Sequence, residues 1–125
     1  MIMNNLFSNT KVLEKALDAS ILRNEVIANN IANVDTPDFK RKAVKFEEML
    51  RNVVNTSGGE NGNVDSIEPE VYTDLANLSY RSDGNNVDID TEMADMAKNT
   101  MKYNVLISQM NSRFRDLKTV MKSSY

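Results

Sequence analysis

A mainly α-helical fold is predicted, with two long terminal helices forming a coiled-coil-like pair around a short helix, a flexible loop and a small β-hairpin; three observations predict it. Two heptad ladders run through the last third of the 125-residue chain: Met93, Thr100, Ile107, Phe114 and Met121 on one, Met96, Tyr103, Met110 and Leu117 on the other. Alternating three- and four-residue steps of this kind make a seam that wants a partner helix. Every Gly and Pro falls between Pro37 and Gly84, so both ends are free of helix breakers. Aromatic residues are only 6% with no Trp, and mean hydropathy is −0.47, which argues against a large private core.

Three stretches follow: an N-terminal helical arm over residues 1–36, an irregular centre over 37–90, and a C-terminal heptad helix over 91–125, with the two arms forming one helical domain. The first arm is predicted from Ser8, a candidate N-cap, to Val34, and it stops where Thr36 is pushed out of helical geometry by Pro37. Leu6, Leu13, Leu17, Ile27, Ile31 and Val34 form one seam, with Val12, Ala16, Ala19, Leu22 and Val26 beside it. Two adjacent stripes make a face too broad for one partner. Ser20 and Asn24 interrupt the main seam, which leaves two readings open: a buried polar device that sets register, or a stripe that has drifted to solvent.

In the centre, Phe46, Met49, Leu50 and Val53 fall at i, i+3, i+4 and i+7 and predict a short amphipathic helix over residues 44–54. Residues 55–66 have the Gly, Asn and Ser content of a flexible loop. Val71–Thr73 and Leu78–Arg81 read as short strands, and a turn at Ser82–Asn86 leads to Val87–Ile89, so a hairpin is placed within 78–89. The last helix starts at a capping Asp90. Glu92 and Asp95 near its start and Arg113, Arg115, Lys118 and Lys122 near its end complement the helix dipole.

Composition closes off most chemistry. The chain has no His and no Cys, which removes the commonest metal ligand, the commonest neutral-pH base, thiol nucleophiles and disulfides. No catalytic site, metal or cofactor is expected, and the chain is read as structural rather than enzymatic. Asp83, Asp88, Asp90, Glu92 and Asp95 miss calcium-loop spacing and are read as caps and turn residues. Lys40, Arg41, Lys42 and Lys45 are flanked by Glu47 and Glu48 and are read as a solvated helix start, not a nucleic-acid or lipid contact. The central stretch carries eleven acidic against six basic residues and the last six basic against three acidic, an asymmetry read first as a solvated face, with head-to-tail recognition between subunits as the alternative. No cleavable leader or membrane-spanning segment is legible, so no membrane insertion is expected.

Ala28-Asn29-Asn30-Ile31-Ala32-Asn33-Val34-Asp35-Thr36-Pro37-Asp38-Phe39-Lys40 closely resembles the N-terminal signature of the bacterial flagellar rod and hook proteins. Asp83-Gly84-Asn85-Asn86-Val87-Asp88-Ile89-Asp90-Thr91-Glu92-Met93, followed by Tyr103, Phe114 and Leu117-Lys118, is similar to the proximal rod type within that family. Asp38 departs from relatives that carry Gly after the Pro, which puts the turn geometry in question. The resemblance implies a structural subunit of the basal-body rod, exported by the flagellar type III apparatus without a cleaved signal. It also implies as partners copies of itself, other proximal rod proteins, the basal-body adaptor FliE and the flagellar export gate. Asn29, Asn30 and Asn33 of the signature would then bond adjoining subunits, while Leu13, Leu17, Ile27, Ile31, Met96, Tyr103, Ile107, Met110, Phe114 and Leu117 would pack them. The alternative is a soluble helical adaptor or export chaperone that binds a partner helix in a closed complex.

Overall fold

The computed structural model describes residues 2–56, 64–75 and 81–122. Helix α1 (Ile2–Ala32) and helix α3 (Ile89–Lys122) are the two long arms. Between them lie strand β1 (Lys42–Lys45), helix α2 (Glu47–Thr56), a single 3-10 turn (Val64–Ser66) and strand β2 (Glu70–Thr73).

Helix α1 starts six residues before the expected cap at Ser8. Residues 2–7 hold no Gly or Pro, and a capping residue is only a local option that an unbroken helix can run through. It ends at Ala32, where the chain makes a series of turns: Thr36 N–H donates to the Asn33 carbonyl at 3.0 Å and Phe39 N–H to the Thr36 carbonyl at 3.3 Å. Asp38 does adopt the left-handed conformation, with φ of 59°, and its N–H donates to the Asp83 carbonyl at 2.8 Å.

Residues 42–45 form a strand, not the helix start that the basic run suggested. Its pairing with β2 is antiparallel, Lys42 opposite Thr73 and Lys45 opposite Glu70. Val71–Thr73 is therefore extended as expected, but its partner lies upstream. Leu78–Tyr80 of the expected hairpin fall outside the described residues, as does most of the loop at 55–66, and Arg81–Asp88 contains no strand. Helix α2 begins at Glu47 instead of Val44, and its predicted face packs on α1: Ala19, Phe46 and Ile67 form a buried cluster flanked by Ala16, Met49, Leu50, Val53 and Val64.

The true cap of α3 is Asp88, two residues before the expected Asp90. Asp88 Oδ1 accepts from Asp90 N–H at 3.0 Å, Oδ2 accepts from Thr91 Oγ1 at 3.1 Å, and the Asp88 carbonyl accepts from Glu92 N–H at 2.9 Å.

The arms pack antiparallel, with Asn30 beside Glu92 and Ser20 beside Asn99. Met96, Tyr103, Met110 and Leu117 are half-buried, as one ladder predicts. The other ladder is displaced by one residue at its start, where Glu92 and Asn99 are buried in place of Met93 and Thr100; Leu106 and Ile107 are both half-buried, and Met93, Phe114 and Met121 are 55%, 57% and 69% exposed. Polar residues hold two positions of the working seam, so a search for apolar periodicity selects its neighbour.

Candidate assembly surface and the polar knot behind it

Asn85 is fully buried and ties off the end of α1. Its Nδ2 donates to the carbonyls of Asn33, Val34 and Thr36 at 2.9, 3.0 and 2.9 Å, and its Oδ1 accepts from Val87 N–H at 2.7 Å. One side chain thus gathers the turns that follow α1, adding a second donor to the Asn33 and Thr36 carbonyls and supplying one to Val34. Asn86 does the same for the ribbon, with Oδ1 accepting from Arg41 N–H at 2.6 Å and Nδ2 donating to the Asp74 carbonyl at 2.7 Å.

Asn30 binds the start of β1 on both sides. Its Nδ2 donates to the Lys42 carbonyl at 2.8 Å and its Oδ1 accepts from Lys42 N–H at 2.9 Å, as a second strand would. The same Nδ2 reaches Glu92 Oε2 at 3.1 Å. Glu92 is wholly buried, and its other oxygen accepts from Arg41 Nε at 2.5 Å. Arg41 also bonds Asp74 at 2.6 Å and lies 3.5 Å from Asp95. Burial alone would lower the Arg41 pKa, but the Glu92 and Asp74 carboxylates outweigh it and hold the guanidinium above its usual range. Lys40 Nζ donates to the Gly84 carbonyl. Gly84 has φ of 75°, a left-handed conformation that favours glycine, and a Cβ there would also displace the Asp38 carboxylate.

The two sequence signatures, about fifty residues apart, therefore fold into one knot. That corrects the role given to Asn30. Asn30 is committed within the chain, and Asn33 donates to the Asn29 carbonyl at 2.8 Å and accepts from Thr36 Oγ1 at 3.1 Å; Asn29 alone of the three is exposed. Ile31 and Phe39 are half-buried in the same region, and Ala32, Thr36 and Pro37 are exposed. The parallel abundance of Asn in both signatures was the only trace of this in the sequence.

Midway along the arms, the polar break proves to be a register device. Asn99 Nδ2 donates to the Ser20 carbonyl and to Asn24 Oδ1, both at 2.8 Å, while Ser20 Oγ donates to Asn99 Oδ1 at 3.1 Å. A shift of one turn would bury all of these groups unpaired. On the α2 side, Glu47 takes both Arg23 guanidinium nitrogens at 2.7 and 2.9 Å and Lys102 at 3.3 Å. Burial pushes its carboxyl up, but Arg23, a backbone N–H and Lys102 together bring it down to about 2.

Several large apolar side chains remain outward, Met93, Met101, Val105, Phe114 and Met121 among them. Of the residues predicted to pack subunits, Ile27 is buried inside the chain and drops out of the set. Leu13, Leu17, Ile31, Met96, Tyr103, Ile107, Met110 and Leu117 are half-buried, and Phe114 is more than half exposed. Among the described residues, every buried side-chain nitrogen or oxygen has a partner, no carboxylate group could hold a metal ion, and no helix is long and apolar enough to cross a membrane. The surface offers packing.

Residues 11–40 match the family model described as flagella basal body rod protein. The chain is 37% identical to the flagellar basal body rod protein FlgB of Bacillus subtilis (strain 168), over 94% of this chain and 96% of that one. It is 36% identical to that of Borrelia hermsii, over 96% and 100%, and 27% identical to that of Escherichia coli (strain K12), over 98% and 99%. The chain belongs to the FlgB family of flagellar basal body rod proteins. As an FlgB family member it is a structural rod subunit and not an enzyme. The matched residues 11–40 include Ser20, Asn24 and Asn30, the α1 side chains that bond Asn99 and Glu92 of α3.

Proposed function

We propose that this chain forms the cell-proximal part of the rod by completing its outward apolar stripe with neighbouring subunits, both copies of itself and other proximal rod proteins. The observation that carries this is the exposure of Met93, Phe114 and Met121, on one side of a helix whose other side is locked to α1. Each such side chain is worth about 1.5–3 kcal/mol on full burial, so a stripe of them makes lone molecules adhesive. The stripe is one surface and its complement another, and contacts of that heterologous kind propagate into an open helix or tube. FliE and the export gate are the neighbours at its base, and the flagellar type III apparatus delivers the chain without cleavage.

The test is to replace the resident rod protein of a flagellate host by this chain carrying a tag inserted at Gly59, and to image purified basal bodies. The tag is expected at the cell-proximal end of the rod. Retention in the cytoplasm as a closed stoichiometric complex would reject the proposal and favour the adaptor reading.

A further inference from the structure

Between α1, α2 and α3 runs a groove of about 610 Å³, separate from the stripe just described. Ala16, Phe46 and Leu50 line one side and Met101 and Val105 the other, both of these last more than half exposed. Its charged lining is Arg23, Lys98 and Lys102 against Glu47. Glu47 is already held by Arg23, so the two exposed lysines, which among the described residues make a 3.6 Å contact to Asp95 and a 3.3 Å contact to Glu47, leave the rim cationic.

An apolar trough with a cationic rim fits a helix end that shows apolar side chains between carboxylates. The chain itself has such an end. Ile89 and Met93 stand one turn apart at the start of α3, both about half exposed, with the exposed Asp88 and Asp90 beside them. Resting on the rod-subunit reading, we propose that the groove receives the first turns of α3 from a second copy of this chain. Knob and groove are different surfaces, so each docking leaves one of each free and the contact repeats in one direction.

The chain's lack of cysteine gives a clean background for the test. Two differently tagged copies, one carrying Met93→Cys and the other Val105→Cys, are expressed together in a flagellate host lacking its own rod protein, and isolated basal bodies are oxidised. A disulfide between the two copies is expected. Its yield should fall about tenfold when the groove copy also carries Lys98→Glu and Lys102→Glu, and recover when the other copy carries Asp90→Lys, since one reversed contact at the rim is worth about a decade in affinity. Basal bodies that contain both copies without the mixed disulfide would overturn the groove contact while leaving rod membership intact. A disulfide to a different protein would overturn the second-copy assignment, and absence of the chain from basal bodies would overturn both readings.

Discussion

Arg41 Nε lies 2.5 Å from Glu92 Oε1, and Glu92 has no exposed surface. The pair pins the start of β1 to the first turn of α3, while Asn30 of α1 holds the other Glu92 oxygen. Removing one member of such a pair strands a charge where water cannot reach it. Arg41→Met should therefore cost about 3–5 kcal/mol in urea unfolding, and adding Glu92→Leu should return most of that. A double variant no more stable than Arg41→Met would show that the buried carboxylate is not the source of the loss.

Asn85 presents a donor group to three carbonyls of the α1 terminus. Asn85→Ala should destabilise the chain by about 3 kcal/mol, because the Val34 carbonyl and the Val87 N–H lose their Asn85 partner at about 1–3 kcal/mol each, while the Asn33 and Thr36 carbonyls keep the backbone N–H groups of Thr36 and Phe39. Asn85→Asp should cost more, since a carboxylate aims negative charge at the same three oxygens. Thermal unfolding that ranks the aspartate variant above the alanine variant would contradict the capping geometry.

The Glu47 carboxyl is held at about 2, below its unfolded value of about 4.3. A depressed carboxylate contributes stability that is complete above the unfolded pKa and is lost as pH falls toward 2. Half of the side chain is exposed, which limits the contribution to about 1 kcal/mol. Glu47→Gln should lower stability by that amount at pH 7 and by progressively less as pH falls to 2 and below, and parallel pH profiles for the two proteins would refute the assignment.

Phe114 is 57% exposed, so Phe114→Asp should leave monomer unfolding within about 0.5 kcal/mol of the parent. In the rod the same charge would sit on a desolvated contact at a cost of several kcal/mol. Swimming and rod assembly should be lost while the variant is still exported. Ile27→Asp, placed in the buried interior, should instead unfold the monomer; a motile Phe114→Asp strain would remove Phe114 from the assembly surface.

Both helical arms, the Phe46–Val53 face, the break at Pro37 and the family signature were legible in the amino-acid order, because they depend on neighbours one to seven residues away. Propensity, breakers and periodicity act over that range. Partners at long range were decided only by the tertiary structure: Asn30 with Glu92, 62 residues on, Ser20 with Asn99, 79 residues on, and β1 with β2. A polar side chain in a seam looks like surface until its distant partner satisfies it. Glu92 and Asn99 for this reason disguised the inward ladder and left Met93 and Phe114, its apolar neighbours, facing out.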